Sequence, residues 1–308
     1  MSNSEPVIVA EGLRKEYGPK VAVADLTLTV QRGEVFGFLG PNGAGKTTAI
    51  KMLLGLTAPT AGKATILGLP ITNPECRRRV GFLPEHFRFH EWLRADEFLD
   101  LHARFFGIPQ DVRQRRVTEL LALVGLEESH TLRLSAFSKG MLQRIGLAQA
   151  LINDPALVFL DEPTSGLDPI GRRMVRDVIA KLRERGTTVF LNSHLLSEVE
   201  VTCTRVAFIT QGRVRRITDI RDYAEGLLEV DLEVDRIDEG LVPGLGRWSD
   251  HIEVADGNKR VVTLRLARRS DLPEIARWVV GRGTALYRMS PHVASLEDLF
   301  VRIVEEDA

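Results

Sequence analysis

The sequence predicts two folded parts: an α/β core with a largely parallel sheet over residues 1–220, and a small α+β domain over 221–308. Three observations carry this. Short apolar runs alternate with stretches of helical periodicity, the pattern of strands buried on both faces and linked by helices. The charge changes sign along the chain, with 12 Lys and Arg against 18 Asp and Glu over 221–308, and 29 against 24 before it. The 308 residues, 44% of them hydrophobic, suffice for about two domains with real cores.

The elements follow in order. Val7 to Glu11 and Val21 to Val30 read as strands, with Leu26, Leu28 and Val30 alternating with threonines. Glu34 to Leu39 is an apolar run that ends in glycine, and Gly45 to Leu56 reads as a helix. Glu91 to Asn153 has a helical pattern, with amphipathic stretches near Ala95 to Phe106 and Val112 to Val124. Strands are expected again at Ala156 to Leu160, Thr187 to Asn192 and Arg205 to Thr210. Helices are expected between them at Ile170 to Glu184 and Leu195 to Thr202. In the last part, Leu228, Val230, Leu232 and Val234 alternate with acidic residues. Val261 to Leu266 is a further strand, and Asp271 to Val280 and Ser295 to Glu305 are helices. Ser295-Leu296-Glu297-Asp298 has the spacing of a capping box.

Composition excludes several classes. A formal net charge of −1 argues against a polycation built to coat nucleic acid. Cys76 and Cys203 are far apart, which argues against a disulfide framework and fits a reducing compartment. The apolar runs fall far short of the ~20 residues that cross a bilayer. Met1 to Pro6 shows no secretory pattern, so any membrane association is expected through a partner.

The segment Gly40-Pro41-Asn42-Gly43-Ala44-Gly45-Lys46-Thr47 matches G-x-x-x-x-G-K-[ST], with an apolar strand before it and a helix after it. Glycines let backbone N–H groups from Gly43 to Thr48 approach a phosphate, and the helix N-terminus adds its positive dipole end. Lys46 supplies a full charge, and the Thr47 hydroxyl is suited to Mg²⁺. The Asn-Lys-x-Asp guanine reader is missing; Asn258-Lys259-Arg260-Val261 lacks its Asp, so ATP is the better substrate. Leu157 to Leu160 form an apolar strand that ends in Asp161 and Glu162. Asp161 is placed to hold Mg²⁺ and Glu162 to act as general base.

Further motifs make the reading specific. Phe137-Ser138-Lys139-Gly140-Met141 precedes Gln143-Arg144 and a helix, and Ser138 lies 23 residues before Asp161. Ser165-Gly166-Leu167-Asp168 follows the acidic pair, and Asn192-Ser193-His194 ends a strand. Over residues 7–220 the chain resembles the nucleotide-binding subunit of an ATP-binding cassette (ABC) transporter. The resemblance implies a P-loop ATPase core with an antiparallel β subdomain and a helical subdomain at about 86–153. It makes Ser138, Lys139, Gly140 and Met141 the signature that contacts the ATP of a partner chain. Asp168 becomes the D-loop acid, His194 the switch histidine, and Tyr17 the aromatic stacked on adenine. It further implies ATP and Mg²⁺, a homodimer of cassettes, and a separate membrane permease. The chain would then be cytoplasmic, held peripherally at the inner face of the cell membrane.

Two departures matter. Lys139 and Met141 replace Gly and Gln of the usual signature, and Glu85 stands where the family places the Q-loop glutamine that touches Mg²⁺. Leu-Pro-Glu and Ser-Lys-Gly-Met resemble ABC-2-type cassettes, whose exporters are often assembled from separate subunits. After Glu85, the aromatics Phe87, Phe89 and Trp92 fall in an expected loop and are candidates for docking the permease. Phe98, Phe105 and Phe106 sit at helical spacing and are expected in the core. His86 and His90 read as surface or interface groups rather than metal ligands. DNA-repair cassettes with long insertions fit poorly, because Lys46 and Ser138 are only 92 residues apart. A cassette that acts on ribosomes or does not hydrolyse ATP fits poorly too: there is one cassette, and Glu162 and His194 are both present.

Overall fold

The computed structural model describes residues 5–220, 228–255, 260–293 and 296–305. Met1 to Ser4, the Asn258-Lys259 pair and Ser295 of the expected capping box lie outside the described residues. The chain divides into two compact units, Met1–Ile217 with Ile303–Ala308, and Thr218–Arg302.

In the first unit, β1 (Pro6–Tyr17) and β2 (Lys20–Gln31) form an antiparallel hairpin. β3 (Val35–Leu39) leads into α1 (Lys46–Leu53). β4 (Ala61–Ile66) and β5 (Leu69–Pro70) extend the antiparallel side, and β6 (Val80–Leu83) lies at the far edge. Three helices follow: α2 (Ala95–Phe105), α3 (Gln110–Leu123) and α4 (Lys139–Ala150). Then come β7 (Leu157–Asp161), α5 (Pro169–Glu184), β8 (Thr188–Asn192), α6 (Leu196–Thr202), β9 (Arg205–Thr210) and β10 (Arg213–Asp219). The ten strands share one sheet in the order β5-β4-β1-β2-β10-β9-β3-β8-β7-β6. β3, β6, β7, β8 and β9 pair in parallel, while β1, β2, β4 and β5 pair antiparallel.

The parallel part is the kind of sheet its sequence demands. β3, β7 and β8 are buried at every residue, so they read as continuous apolar runs without alternation. Phe36, Phe38 and Phe159 gather around Phe190, with ring centroids 5.1–5.7 Å from it. In a parallel sheet every strand points the same way. The loops after β3, β7 and β8 therefore emerge on one side, where ligands bind in open α/β sheets.

In α2 the buried face is Ala95, Phe98, Leu99 and Ala103. Phe98 belongs to the core as expected, but Phe105 (73% exposed) and Phe106 do not. Phe105 lies in the last turn at the margin of the buried stripe. Phe106 is in phase with the stripe but stands where the helix ends, over a surface groove with Phe82, Phe87 and His102. The stretch from Glu91 to Asn153 is also less continuously helical than expected, with two 3₁₀ turns, Glu127–Ser129 and Leu134–Ala136, between α3 and α4.

The second unit contains β11 (Leu228–Val234), α7 (Leu241–Leu245), β12 (Ile252–Ala255), β13 (Val261–Leu266), α8 (Leu272–Gly281), β14 (Leu286–Val293) and most of α9 (Leu296–Glu305). Its antiparallel sheet has the order β12-β13-β11-β14. Up to β14 this is the split βαβ arrangement, βαββαβ. Val230, Leu232 and Val234 of β11 pack with Val262, Leu264, Ile275 and Val279. Glu229, on the opposite parity, is buried and paired with Arg265 at 3.4 Å.

Candidate functional site

The site grows from the end of β3. Gly45 caps α1 with φ +100°, and a Cβ there would collide with the Ala22 carbonyl oxygen. Glycine is therefore required to turn the chain into the helix. The turn aims the N–H groups at the start of α1 into a cavity of about 480 Å³. Asn42, Gly43, Gly45, Lys46, Thr47, Thr48, Glu85, Glu162 and His194 line it, together with Lys20, Val21, Ala22 and Asn192. Gly40, Pro41 and Ala44 form the base of the loop. Lys46 Nζ donates to the carbonyls of Gly40 at 2.6 Å and Pro41 at 3.1 Å, and Ala44 is buried.

The acidic pair stands at the end of β7. Asp161 is buried, and Asn192 Nδ2, at the end of the neighbouring β8, donates to its Oδ1 at 2.5 Å. Glu162 takes φ +54°, a left-handed conformation that few non-glycine residues adopt. Its N–H donates to the Asn192 carbonyl at 2.9 Å, which turns the side chain away from the sheet. His194 Nδ1 lies 2.7 Å from Glu162 Oε2. The histidine is mostly exposed and the carboxylate is 7% exposed, so the pair spans the wall of the cavity. Strain of this kind concentrates at functional sites.

The charges act on one another. Burial pushes the Asp161 carboxyl above its ordinary value; the hydrogen bond from Asn192 opposes this, and the Glu85 charge adds to it. Burial likewise raises Glu162 against the pull of His194, with Asp161 and Glu85 adding to the rise. Burial lowers Lys46, while Glu162, Asp161 and Glu85 favour its charged form. The three carboxylates outnumber Lys46 and Lys20, an excess of negative charge that suits a divalent metal. The donor set is hard oxygen: the Thr47 hydroxyl and the carboxylates of Asp161 and Glu85. Mg²⁺ fits such a set, because it binds through few carboxylates and keeps several waters.

Other expected site residues stand elsewhere. Tyr17 ends β1, half exposed, with Lys15 Nζ 5.0 Å from its ring centroid; it does not line the cavity, though Lys20 to Ala22 just beyond it do. Ser138 caps α4, its Oγ accepting from the Met141 N–H at 3.2 Å. The Lys139 side chain lies over Gly166, and Gly140 faces Leu167. Asp168 caps α5 by accepting from the Gly171 N–H at 2.7 Å. None of residues 138–141 lines the cavity that holds Lys46.

Phe87 and Phe89 are only half exposed. They pack on each other and on Phe98, with centroids 4.5, 6.2 and 5.7 Å apart. Of the three docking candidates, Trp92 alone is freely exposed, at 68%. Sequence reasoning gave no role to Asn192 or Gln143. Asn192 ends an apolar strand parallel to that of Asp161, and this placement is its signal. Gln143 Nε2 donates to the carbonyls of Glu162 at 3.3 Å and Pro163 at 3.1 Å.

Comparison with known proteins agrees with this geometry. The ABC transporter family profile matches residues 23–165. An ABC transporter ATP-binding protein of Synechocystis is 42% identical over 91% of the chain and 78% of its own length. Nod factor export ATP-binding protein I of Bradyrhizobium diazoefficiens is 41% identical over 98% of both chains. A solved dimeric ATP-binding cassette in a post-hydrolysis state, bound to ADP and Pi, is 25% identical with a TM-score of 0.64; the match covers 70% of this chain and 99% of that one. Among the described residues, no helix is long and apolar enough to cross a membrane. The chain belongs to the ABC transporter family as an ATP-binding subunit, and it is an ATPase of that family.

Proposed function

We propose that two copies of this chain bind ATP between them and hydrolyse it to drive export through a separate ABC-2-type permease at the inner face of the cell membrane. The observation that carries the reading is a division of labour. The cavity is lined by P-loop residues, Glu162 and His194, with Asp161 buried beside Glu162, while Ser138, Lys139, Gly140 and Met141 lie outside it. A second chain has to supply that segment if it is to touch the same nucleotide. The dimeric post-hydrolysis cassette supports pairing, and the relative named for Nod factor export supports the direction.

Within one site, the loop N–H groups and Lys46 bind the phosphates. Thr47, Asp161 and Glu85 would hold Mg²⁺, which supplies neutralising charge. Glu162 accepts the proton of the attacking water, and His194 orients its carboxylate and contacts the γ-phosphate. Tyr17 would meet the adenine beside Lys20 to Ala22. Asp168 fixes the start of α5 near the dimer face. The second unit carries none of these motifs and is proposed as accessory, for regulation or contact between the two chains.

Pairing is tested with Glu162→Gln, which keeps the side chain's shape. On size-exclusion chromatography this variant should run as a monomer without nucleotide and as a dimer with ATP. A monomer at high protein and ATP concentration would defeat the homodimer. Permease docking is tested at Trp92, because Phe87 and Phe89 also support Phe98 and their loss would disturb the fold. Trp92→Ser should weaken permease capture at least tenfold, within the ~2 kcal/mol or more typical of a buried aromatic anchor. ATP affinity should not change. Equal capture of the variant and the parent would remove Trp92 from the interface.

A further inference from the structure

Behind the catalytic turn lies an ion pair that the proposed chemistry does not use. Arg176 Nη1, on the third turn of α5, donates to Glu198 Oε1 on α6 at 3.0 Å. Glu198 is 8% exposed, and its Oε2 has no hydrogen-bond partner among the described residues. A carboxylate placed there costs stability, since burial is not offset by full pairing. Such a group is retained for the geometry it imposes, or for nothing.

The geometry is specific. α6 has only seven residues, too few to hold its own shape. Its first turn follows His194 directly: the Leu195 N–H donates to Ser193 Oγ at 3.1 Å, and the Glu198 N–H to the Leu195 carbonyl at 3.0 Å. Val199 and Glu198 form the buried side of α6, while Val201 is exposed. On the other side of the pair, α5 begins at the Asp168 cap. A small cavity of about 10 Å³ separates the pair from the turn after Glu162, with Pro163, Thr164 and Ser193 among its lining.

We propose that the Arg176–Glu198 pair is a positioning device that ties α6 to α5 and thereby holds His194 at the Glu162 carboxylate. The inference rests on the proposed roles of Glu162 and His194. Neither Arg176 nor Glu198 touches the nucleotide cavity, so both act through His194.

The test uses the full-length chain with MgATP, measuring steady-state hydrolysis and the thermal midpoint. Glu198→Gln keeps the volume and removes the charge. It should lower kcat roughly tenfold, in line with the cost of slight misplacement of a reacting group, and leave the KM for ATP within about twofold. The thermal midpoint should not fall, because a neutral amide is cheaper to bury than a half-paired carboxylate. Arg176→Lys, at a partly exposed position, should retain most of the rate. In a His194→Ala background, Glu198→Gln should cost less than about twofold more, since coupled groups are not additive. An unchanged kcat in Glu198→Gln, full multiplicative loss in the His194→Ala background, or loss of rate that tracks loss of thermal stability would each overturn the proposal. His194→Ala alone at the parental rate would instead overturn the role given to His194.

Discussion

Glu162→Gln should slow ATP hydrolysis by on the order of 10²-fold or more while leaving ATP affinity within about threefold. The argument starts from position. The left-handed backbone of Glu162 and its hydrogen bond to Asn192 hold the carboxylate over the cavity, and His194 lies 2.7 Å from Oε2. Burial raises its proton affinity, which makes it a better acceptor for the proton of an attacking water. Glutamine fills the same space and keeps a hydrogen bond to the histidine, but its amide cannot take that proton. The groups proposed to bind phosphate belong to the P-loop and do not change. Single-turnover hydrolysis and nucleotide titration on the same preparation check both halves. A variant that hydrolyses ATP at the parental rate would remove Glu162 from the chemistry.

The second large effect is expected in the buried sheet, at a glycine. A Cβ added at Gly81, in β6, would run into the Ala150 carbonyl oxygen at the end of α4 and approach Val158 Cγ2 at 3.2 Å. Neither neighbour can swing aside, because one is backbone and the other belongs to the buried β7. Gly81→Ala should cost about 2–3 kcal/mol, the usual price of overpacking a core. For a chain of this size that lowers the thermal midpoint by roughly 3–5 °C. β6 leads through Leu83 and Pro84 to Glu85 at the cavity, so the same displacement should weaken ATP binding. Thermal unfolding followed by circular dichroism tests this; an unchanged midpoint would mean that β6 can slide outward freely.

The parts of the molecule that were legible in sequence share a physical cause. β3, β7 and β8 are buried on both faces, so their apolar runs stand out, and the loops that follow them carry the P-loop, the acidic pair and His194. β4, with the sequence AGKATI, and β10, with RVRRITD, gave little signal because half or more of each strand meets solvent or is only partly covered. For α2, periodicity identified the helix and placed Phe98 in the core. The fate of Phe105 and Phe106 depended on where the helix ends, which periodicity does not encode. Phe87 and Phe89 looked like loop aromatics from their neighbours in sequence; their partner, Phe98, is on the following helix. The importance of Asn192 and Gln143 arises from strand register and a helix–turn contact, both tertiary facts.

The Gln143 contact has a wider consequence. In the proposed pair, α4 presents its N-terminal segment to the neighbour's nucleotide, and the same helix grips the Glu162 and Pro163 carbonyls of its own chain. Each subunit would then read its own site and address the other's through one rigid rod. Gating information would pass crosswise, and damage to one chain's Glu162–Pro163 turn would first be felt as a fault at the nucleotide its neighbour holds.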